Sequence, residues 1–238
     1  MIKSNAIIIP ARLKSTRLKK KLLIEVKGKP IIQYTIENAL ASKKKNRIIV
    51  ATEDLDIKRF VDSLGYDVDC IRTPQFNNGT ERVRHISKEL LNGYARVVNL
   101  QADEPLFNAD SIDAVFGEIS NDIVLTSAYS FIKSEAEYND PNTVKVVLNV
   151  FDMALYFSRS SIPHGGFTSA CKHIGIYGYK RDVLADLPTS SNYQKSENLE
   201  QLSWLESGYA IKMVRINYET IGIDTPENIE AFKAALEK

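Results

Sequence analysis

The run Ala6-Ile7-Ile8-Ile9-Pro10 leads without pause into Ala11-Arg12-Leu13-Lys14-Ser15-Thr16-Arg17-Leu18-Lys19-Lys20-Lys21, and this junction decides how the chain is read. A short apolar, β-branched run ended by proline is the pattern of a strand buried on both faces of a parallel sheet. In open α/β sheets ligands bind beyond the carboxyl ends of such strands, so the basic loop falls where a ligand would sit. Arg12, Arg17 and Lys21 bring cationic donors there, with the hydroxyls of Ser15 and Thr16 between them, which suits a polyphosphate. The same residues would also serve as a solvated basic turn.

Outward from this junction, strand-like runs recur at Arg47 to Thr52, Val68 to Ile71, Arg96 to Leu100, Ile123 to Ser127, Thr143 to Asn149, His173 to Tyr179 and Lys212 to Ile216. Helical spacing of apolar residues fills Pro30 to Ala41, Ile57 to Leu64, Thr80 to Leu91 and Asp110 to Ile119. Strand and helix alternate through the first half, which predicts an α/β fold with a mostly parallel sheet and helices on both faces. After about residue 123 strand patterns follow one another, and the irregular stretch Ser160 to Lys172 predicts antiparallel additions and a mobile loop. Helical patterns at Ser196 to Glu206 and Thr225 to Lys238 close the chain. No repeat or interdomain linker interrupts it, so a single domain over 1–238 is expected.

The 238 residues carry a formal net charge of +1, which excludes a chain-wide basic field and argues against a dedicated nucleic-acid binder. Cys70 and Cys171 are too few for a disulfide framework and lack the spacing of a zinc site. No apolar run is long enough for a signal peptide or membrane span, so a soluble, cytoplasmic protein without membrane insertion is expected.

Two carboxylate sites stand out. Asn99-Leu100-Gln101-Ala102-Asp103-Glu104-Pro105 puts Asp103 at a strand's carboxyl end, where it suits a hard cation such as Mg²⁺, which takes one or two protein carboxylates and leaves the rest to water and phosphate. Capping a following turn is the competing role for Asp103 and Glu104. Gly222-Ile223-Asp224-Thr225-Pro226-Glu227 ends another apolar run, and Asp224 either supplies a second carboxylate or starts a helix ahead of Pro226. Gly79-Thr80-Glu81-Arg82 opens a helix whose N–H groups favour an anion. Arg159 and His173 flank the irregular stretch and could hold a carboxylate and hydroxyls, whereas His85 and His164 have less to recommend them. Glu200 and Gln201 fall on an amphipathic helix, where a solvated face is the simpler reading. No Gly-x-Ser-x-Gly elbow, Walker loop or Gly-x-Gly-x-x-Gly fingerprint is present.

Taken in order, these segments resemble the 3-deoxy-manno-octulosonate cytidylyltransferases, the CMP-Kdo synthetases. The resemblance runs nearly end to end: Ile9-Pro10-Ala11-Arg12 with Ser15-Thr16-Arg17, Gly28-Lys29-Pro30-Ile31-Ile32-Gln33, Gly79-Thr80-Glu81-Arg82, Asn99 to Pro105, Ala154 to Arg159, Lys172 to Tyr177, Leu199 to Leu202 and Asp224 to Glu227. It implies a Rossmann-like fold with an antiparallel dimerisation insertion in the second half, and a homodimer. Residues of roughly 128–180 would contribute the sugar-side and dimerisation element. It implies Mg²⁺-dependent transfer of CMP from CTP to a 3-deoxy-ulosonic acid, with release of diphosphate and no covalent intermediate.

By the same resemblance, Arg12, Ser15, Arg17, Lys21, Asn78, Gly79, Thr80, Arg82 and Gln101 would bind the nucleotide. Asp103 and Asp224 would hold metal and, with Lys21 and Arg12, form the catalytic set. Arg159, His173, Tyr177, Glu200 and Gln201 would contact the sugar. Where the family carries Arg-Leu-Pro-Gly-Lys-Pro-Leu, this chain has Arg17-Leu18-Lys19-Lys20-Lys21-Leu22-Leu23, so Lys19 or Lys20 could stand in for Lys21. Ala102 replaces a usual Gly and Asn78 a usual Ser. The rival readings are CTP chemistry on an 8-amino-octulosonate or nine-carbon acid, a GTP- or UTP-using sugar-phosphate nucleotidyltransferase, and a nucleotide-sugar binding protein without turnover.

Overall fold

The computed structural model describes residues 4–14, 18–76, 78–217 and 220–237. Its contacts divide the chain into two compact units, Met1–Phe116 with Glu219–Lys238, and Gly117–Tyr218. Ser15, Thr16 and Arg17, singled out in the basic loop, lie outside the described residues.

In the first unit, β1 (Ser4–Ala11) is followed by a small hairpin of β2 (Glu25–Val26) and β3 (Lys29–Pro30). Then come α1 (Ile31–Ala41), β4 (Arg47–Thr52), α2 (Leu55–Ser63), β5 (Asp69–Arg72), α3 (Gly79–Leu90), β6 (Tyr94–Leu100) and α4 (Ala109–Glu118). A last helix, Pro226–Ala235, returns to this unit. β1 pairs in parallel with β4 on one side and β6 on the other, and β5 extends the sheet beyond β4. Ile7, Ile8 and Ile9 are fully buried, as a strand covered on both faces requires. Ile57 and Val61 turn inward from α2, and Val83 and Ile86 from α3, giving each helix one apolar stripe.

The chain winds outward from β1 to β5 and then crosses to β6 on the other side. The crevice between the carboxyl ends of β1 and β6 is therefore the switch point of the sheet, where parallel folds bind ligands. The basic loop leaves β1 there, and the Gln101–Glu104 segment leaves β6 there.

The second unit contains β7 (Leu125–Phe131), α5 (Glu135–Asn139), β8 (Lys145–Leu148), β9 (Ala154–Ser158), β10 (Cys171–Lys180), α6 (Arg181–Leu184), α7 (Asn192–Glu197), α8 (Gln201–Glu206) and β11 (Ile211–Arg215). β10 runs antiparallel to β7 and β8, β8 antiparallel to β9, and β11 parallel to β7. The antiparallel additions are thus present, within a fold whose first unit is wholly parallel in its main sheet. The predicted helix Ser196 to Glu206 is instead two, because Asn198 takes a left-handed φ of 54° that ends α7 before α8 begins. The strand β9 lies within a segment quoted above only as a motif.

Candidate functional site

A cleft of ≈ 460 Å³ opens in the first unit, lined by Pro10, Arg12, Lys14, Lys21, Asn78, Gly79, Arg82, Gln101, Asp103 and Asp224, with Leu22, Gln75, Phe76 and Ala102 completing it. Of the residues assigned above to nucleotide, metal or catalysis, all the described ones but Thr80 line this cleft, and Thr80 lies between Gly79 and Glu81 in the first turn of α3.

Its centre is an ion triad. Lys21 Nζ lies 2.5 Å from Asp103 Oδ2 and 2.8 Å from Asp224 Oδ1. Burial of the ammonium opposes its charge, but Asp103 and Asp224 outweigh that cost and the pKa is raised above its ordinary value. Lys20, by contrast, reaches Asp56 Oδ2 at 3.0 Å on the exposed surface, so it is Lys21 that sits between the two carboxylates in this structure. The reason is local: Lys20 has a left-handed φ of 52° at the start of the 3₁₀ turn Lys21–Leu23, at the position where the resembled family carries glycine.

Each acidic residue is held by its surroundings. Thr35 Oγ1 donates to the Ala102 carbonyl at 3.0 Å and Asn38 Nδ2 to that of Pro105 at 2.9 Å, so α1 braces the segment carrying Asp103 from both sides. The Ile223 N–H donates to the Asp103 carbonyl at 2.9 Å, which brings Asp224 alongside. Capping of the last helix falls to Thr225, whose hydroxyl accepts from the Asn228 N–H while Pro226 takes the first helical position. The helix start weighed for Asp224 is thus capped by Thr225, and the Asp224 carboxylate meets Lys21.

On the opposite wall, Asn78 Oδ1 accepts from the Glu81 N–H at 2.8 Å and caps α3. Gly79 follows where a Cβ would meet Pro10 Cγ at 3.3 Å, a tight contact that the missing side chain avoids, so the helix start packs closely on the end of β1. The Arg82 guanidinium is buried, donates to the Ala11 carbonyl at 2.9 Å and pairs with Glu53. Burial, reinforced by the nearby Arg12 charge, lowers its pKa to about 10. Asp54 stands at the N-cap of α2 but gives that helix no side-chain cap; its Oδ2 accepts from the Leu13 N–H at 2.7 Å. Sequence reasoning missed Lys14, Gln75 and Phe76. The last two follow β5, so the rule that pointed to the ends of β1 and β6 points to them as well, and Arg82 lies over the Phe76 ring at 6.0 Å.

The five sugar-side candidates lie in the second unit. Arg159 Nε donates to the Glu197 carbonyl at 3.0 Å and Nη1 to that of Pro141 at 3.1 Å, which uses two of its five N–H groups among the described residues. Glu197, which the sequence did not single out, accepts from the Ser158 hydroxyl and the Arg159 N–H. Lys145, 0% exposed, donates to the carbonyls of Asp140, Thr143 and Arg159 at 2.6–2.9 Å, satisfying all three ammonium hydrogens while burial lowers its pKa.

His173 meets Phe157 edge to face and Tyr177 at a tilt, with ring centroids 5.0 and 5.5 Å away, and burial pushes its pKa down to about 3. The Tyr177 hydroxyl donates to Gln201 Oε1 at 3.2 Å, and burial, with Glu200 and Tyr179 adding to it, raises its pKa. Gln201 is 2% exposed rather than on a solvated helix face, and its Nε2 has no partner among the described residues. Glu200 stands at the N-cap of α8.

Among the described residues no group of three or more His, Cys, Asp or Glu side chains gathers as a metal cage. Asp103 and Asp224 nevertheless converge on one cation, the Lys21 ammonium, and two carboxylates fit the protein's share of a Mg²⁺ shell completed by phosphate and water.

An open parallel sheet with cations, a helix N-terminus and paired carboxylates at its switch point defines the class of a nucleotide-handling α/β protein. The chain belongs to the cytidylyltransferase family, whose profile it matches over residues 6–216, and it is a nucleotidyltransferase. It is 39% identical to the 3-deoxy-manno-octulosonate cytidylyltransferase of Nitratiruptor sp., over 96% of this chain and 98% of that one. It is 35% identical to the Zea mays protein of the same description, over 96% of this chain and 80% of that one. A solved CMP:2-keto-3-deoxy-manno-octonic acid synthetase complexed with CTP superimposes with a TM-score of 0.90 at 33% identity, covering 99% of both chains. A 4-diphosphocytidyl-2C-methyl-D-erythritol synthase from Anaerococcus prevotii, 18% identical with a TM-score of 0.69, shares the fold.

Proposed function

We propose that the protein couples CTP to 3-deoxy-D-manno-octulosonate, giving the CMP-sugar and diphosphate, by in-line attack of the anomeric hydroxyl on the α-phosphorus. The observation that carries this reading is the convergence of Lys21, Asp103 and Asp224 in a cleft whose other wall is the start of α3.

Arg12 and Lys21, together with Ser15 and Arg17 of the same loop, bind the triphosphate, and the N–H groups at Gly79 and Thr80 add a positive helix end. Gln101 and Asn78 face the nucleoside, and Arg82 holds the β1 carboxyl end in place beneath it. Asp103 and Asp224 would hold Mg²⁺, which would neutralise phosphate charge and make the sugar hydroxyl more nucleophilic. Lys21, whose ammonium lies beside both carboxylates, would contact the phosphates from the same place. Arg159 pairs with the sugar carboxylate, and His173, Tyr177, Glu200 and Gln201 contact its hydroxyls.

The protein works as a homodimer in the cytoplasm. Val150 and Phe151, 91% and 73% exposed at the tip between β8 and β9, suit burial against a second copy. The tip is tied by hydrogen bonds: Asn149 Oδ1 accepts from the N–H groups of Phe151 and Met153, and Lys212 Nζ donates to the Phe151 carbonyl at 2.7 Å. Free, buried Cys70 and Cys171 suit a reducing compartment. No helix among the described residues is long and apolar enough to cross a membrane.

Pyrophosphate release with CTP, Mg²⁺ and 3-deoxy-D-manno-octulosonate, its 8-amino analogue or N-acetylneuraminate tests the reaction. Release with the first acid alone supports it. Release only with another acid changes the acceptor and keeps the chemistry, and silence with all three overturns it.

A further inference from the structure

Between Ile174 and Tyr177 the pairing of β10 with β7 shifts, so that Gly175 and Ile176 stand opposite no residue of β7. The Ile176 carbonyl left by this bulge lies 2.8 Å from Ser127 Oγ, and that of Ile174 lies 3.4 Å from it. On the other side of the same hydroxyl, His173 Nε2 lies at 2.8 Å. We propose that Ser127 is a positioning residue that fixes His173 as the Nε2-protonated tautomer, so that its Nδ1 is a hydrogen-bond acceptor for a hydroxyl of the acceptor sugar.

A carbonyl has no hydrogen, so the short contact to Ile176 requires the single hydroxyl hydrogen of Ser127. The contact between Ser127 and His173 requires a second hydrogen, which only Nε2 can supply. A neutral imidazole has one N–H, and the lowered pKa of His173 keeps the ring neutral at physiological pH. Nδ1 is then bare, and no other hydrogen bond to the ring forms among the described residues. Phe157 and Tyr177 flank the ring and hold its plane.

The consequence is one of specificity, and it rests on the reading of His173 as a sugar contact. A bare Nδ1 accepts from a hydroxyl and repels a carboxylate or carbonyl oxygen. His173 therefore selects a hydroxyl, and the carboxylate of the acid is left to Arg159.

The test uses the full chain with ¹⁵N-labelled histidine, of which there are three residues, His173 being assigned by the resonances lost in His173→Gln. The expected spectrum at pH 7.5 has an unprotonated Nδ1 and a protonated Nε2 at His173. In Ser127→Ala this pattern is lost and the KM for 3-deoxy-D-manno-octulosonate rises about fivefold, the worth of one hydrogen bond, with the KM for CTP unchanged. Ser127→Thr retains both. A protonated Nδ1 in the unsubstituted protein overturns the proposal whether or not any variant folds. A fivefold rise in His173→Gln without one in Ser127→Ala overturns the role of Ser127. Unchanged sugar KM in both variants, with the expected tautomer present, overturns the sugar-contact reading of His173 and with it the selection of a hydroxyl.

Discussion

Lys21 Nζ lies 2.5 Å from Asp103 Oδ2, although the two residues are 82 positions apart in the chain. One leaves the carboxyl end of β1 by the basic loop and the other leaves that of β6, so their contact marks where the two halves of the winding meet. An ammonium bridging two carboxylates is a charge arrangement that a divalent cation with bound phosphates can replace, since the same negative groups then face a stronger positive charge.

Asp103→Asn keeps the shape of the side chain and removes its charge. Losing several kcal/mol of transition-state stabilisation lowers kcat roughly 10²- to 10⁴-fold. Asp103 is about one-third exposed, so breaking its ion pair moves the folding midpoint little. Pyrophosphate release and thermal melting of the same preparation measure both, and normal turnover would sink the metal assignment.

Lys21→Gln and Lys20→Gln separate two neighbours that sequence leaves interchangeable. The first removes the cleft ammonium and raises the KM for CTP at least tenfold, as loss of a charge-assisted contact implies. The second removes an exposed pair with Asp56 and leaves the KM within about twofold. Equal effects in the two variants would show that the loop moves either lysine into the cleft.

The sheet of the first unit was legible because its strands are apolar runs and its helices carry one stripe: the segment Arg47 to Thr52 coincides with β4, and the others agree to within a few residues. The cleft was legible for a related reason, since parallel topology places residues after β1 and β6 together whatever their sequence separation. The second unit was harder. Asn198 breaks a continuous helical pattern by adopting a conformation that its sequence permits but does not demand, and Gln201 is buried through tertiary packing that periodicity could not reveal. Lys145 has the composition of a surface residue, and only the fold supplies the three carbonyls that satisfy it.

Asp54→Ala tests a contact invisible in the sequence, since Asp54 stands at the N-cap of α2 without capping it. Its carboxylate instead fixes Leu13, between the two cleft cations Arg12 and Lys14. Removing it raises the KM for CTP about fivefold, the worth of one hydrogen bond, and leaves kcat close to normal. Asp54→Asn, which keeps an acceptor oxygen, restores most of the affinity. A loss of kcat without a change in KM would place the effect outside the loop.

His173 makes one contribution to the stability of the protein toward acid. In the folded chain burial holds its pKa near 3, while the unfolded chain takes up the proton near the ordinary value of 6.5. Below that value the unfolded state binds more protons than the folded one, so stability from this group is complete above about pH 6.5 and falls as pH drops toward 3. The slope is about 1.4 kcal/mol for each pH unit in that window. Carboxylates also titrate at the acid end, so the informative quantity is the difference between the unsubstituted protein and His173→Gln in urea midpoints taken at pH 7 and pH 5. The variant starts less stable, having lost its bond to Ser127 and its ring contacts, but loses less on acidification. Parallel decline of the two proteins would mean that His173 takes up a proton in the folded state, and the ring would then be a cation in the site rather than an acceptor.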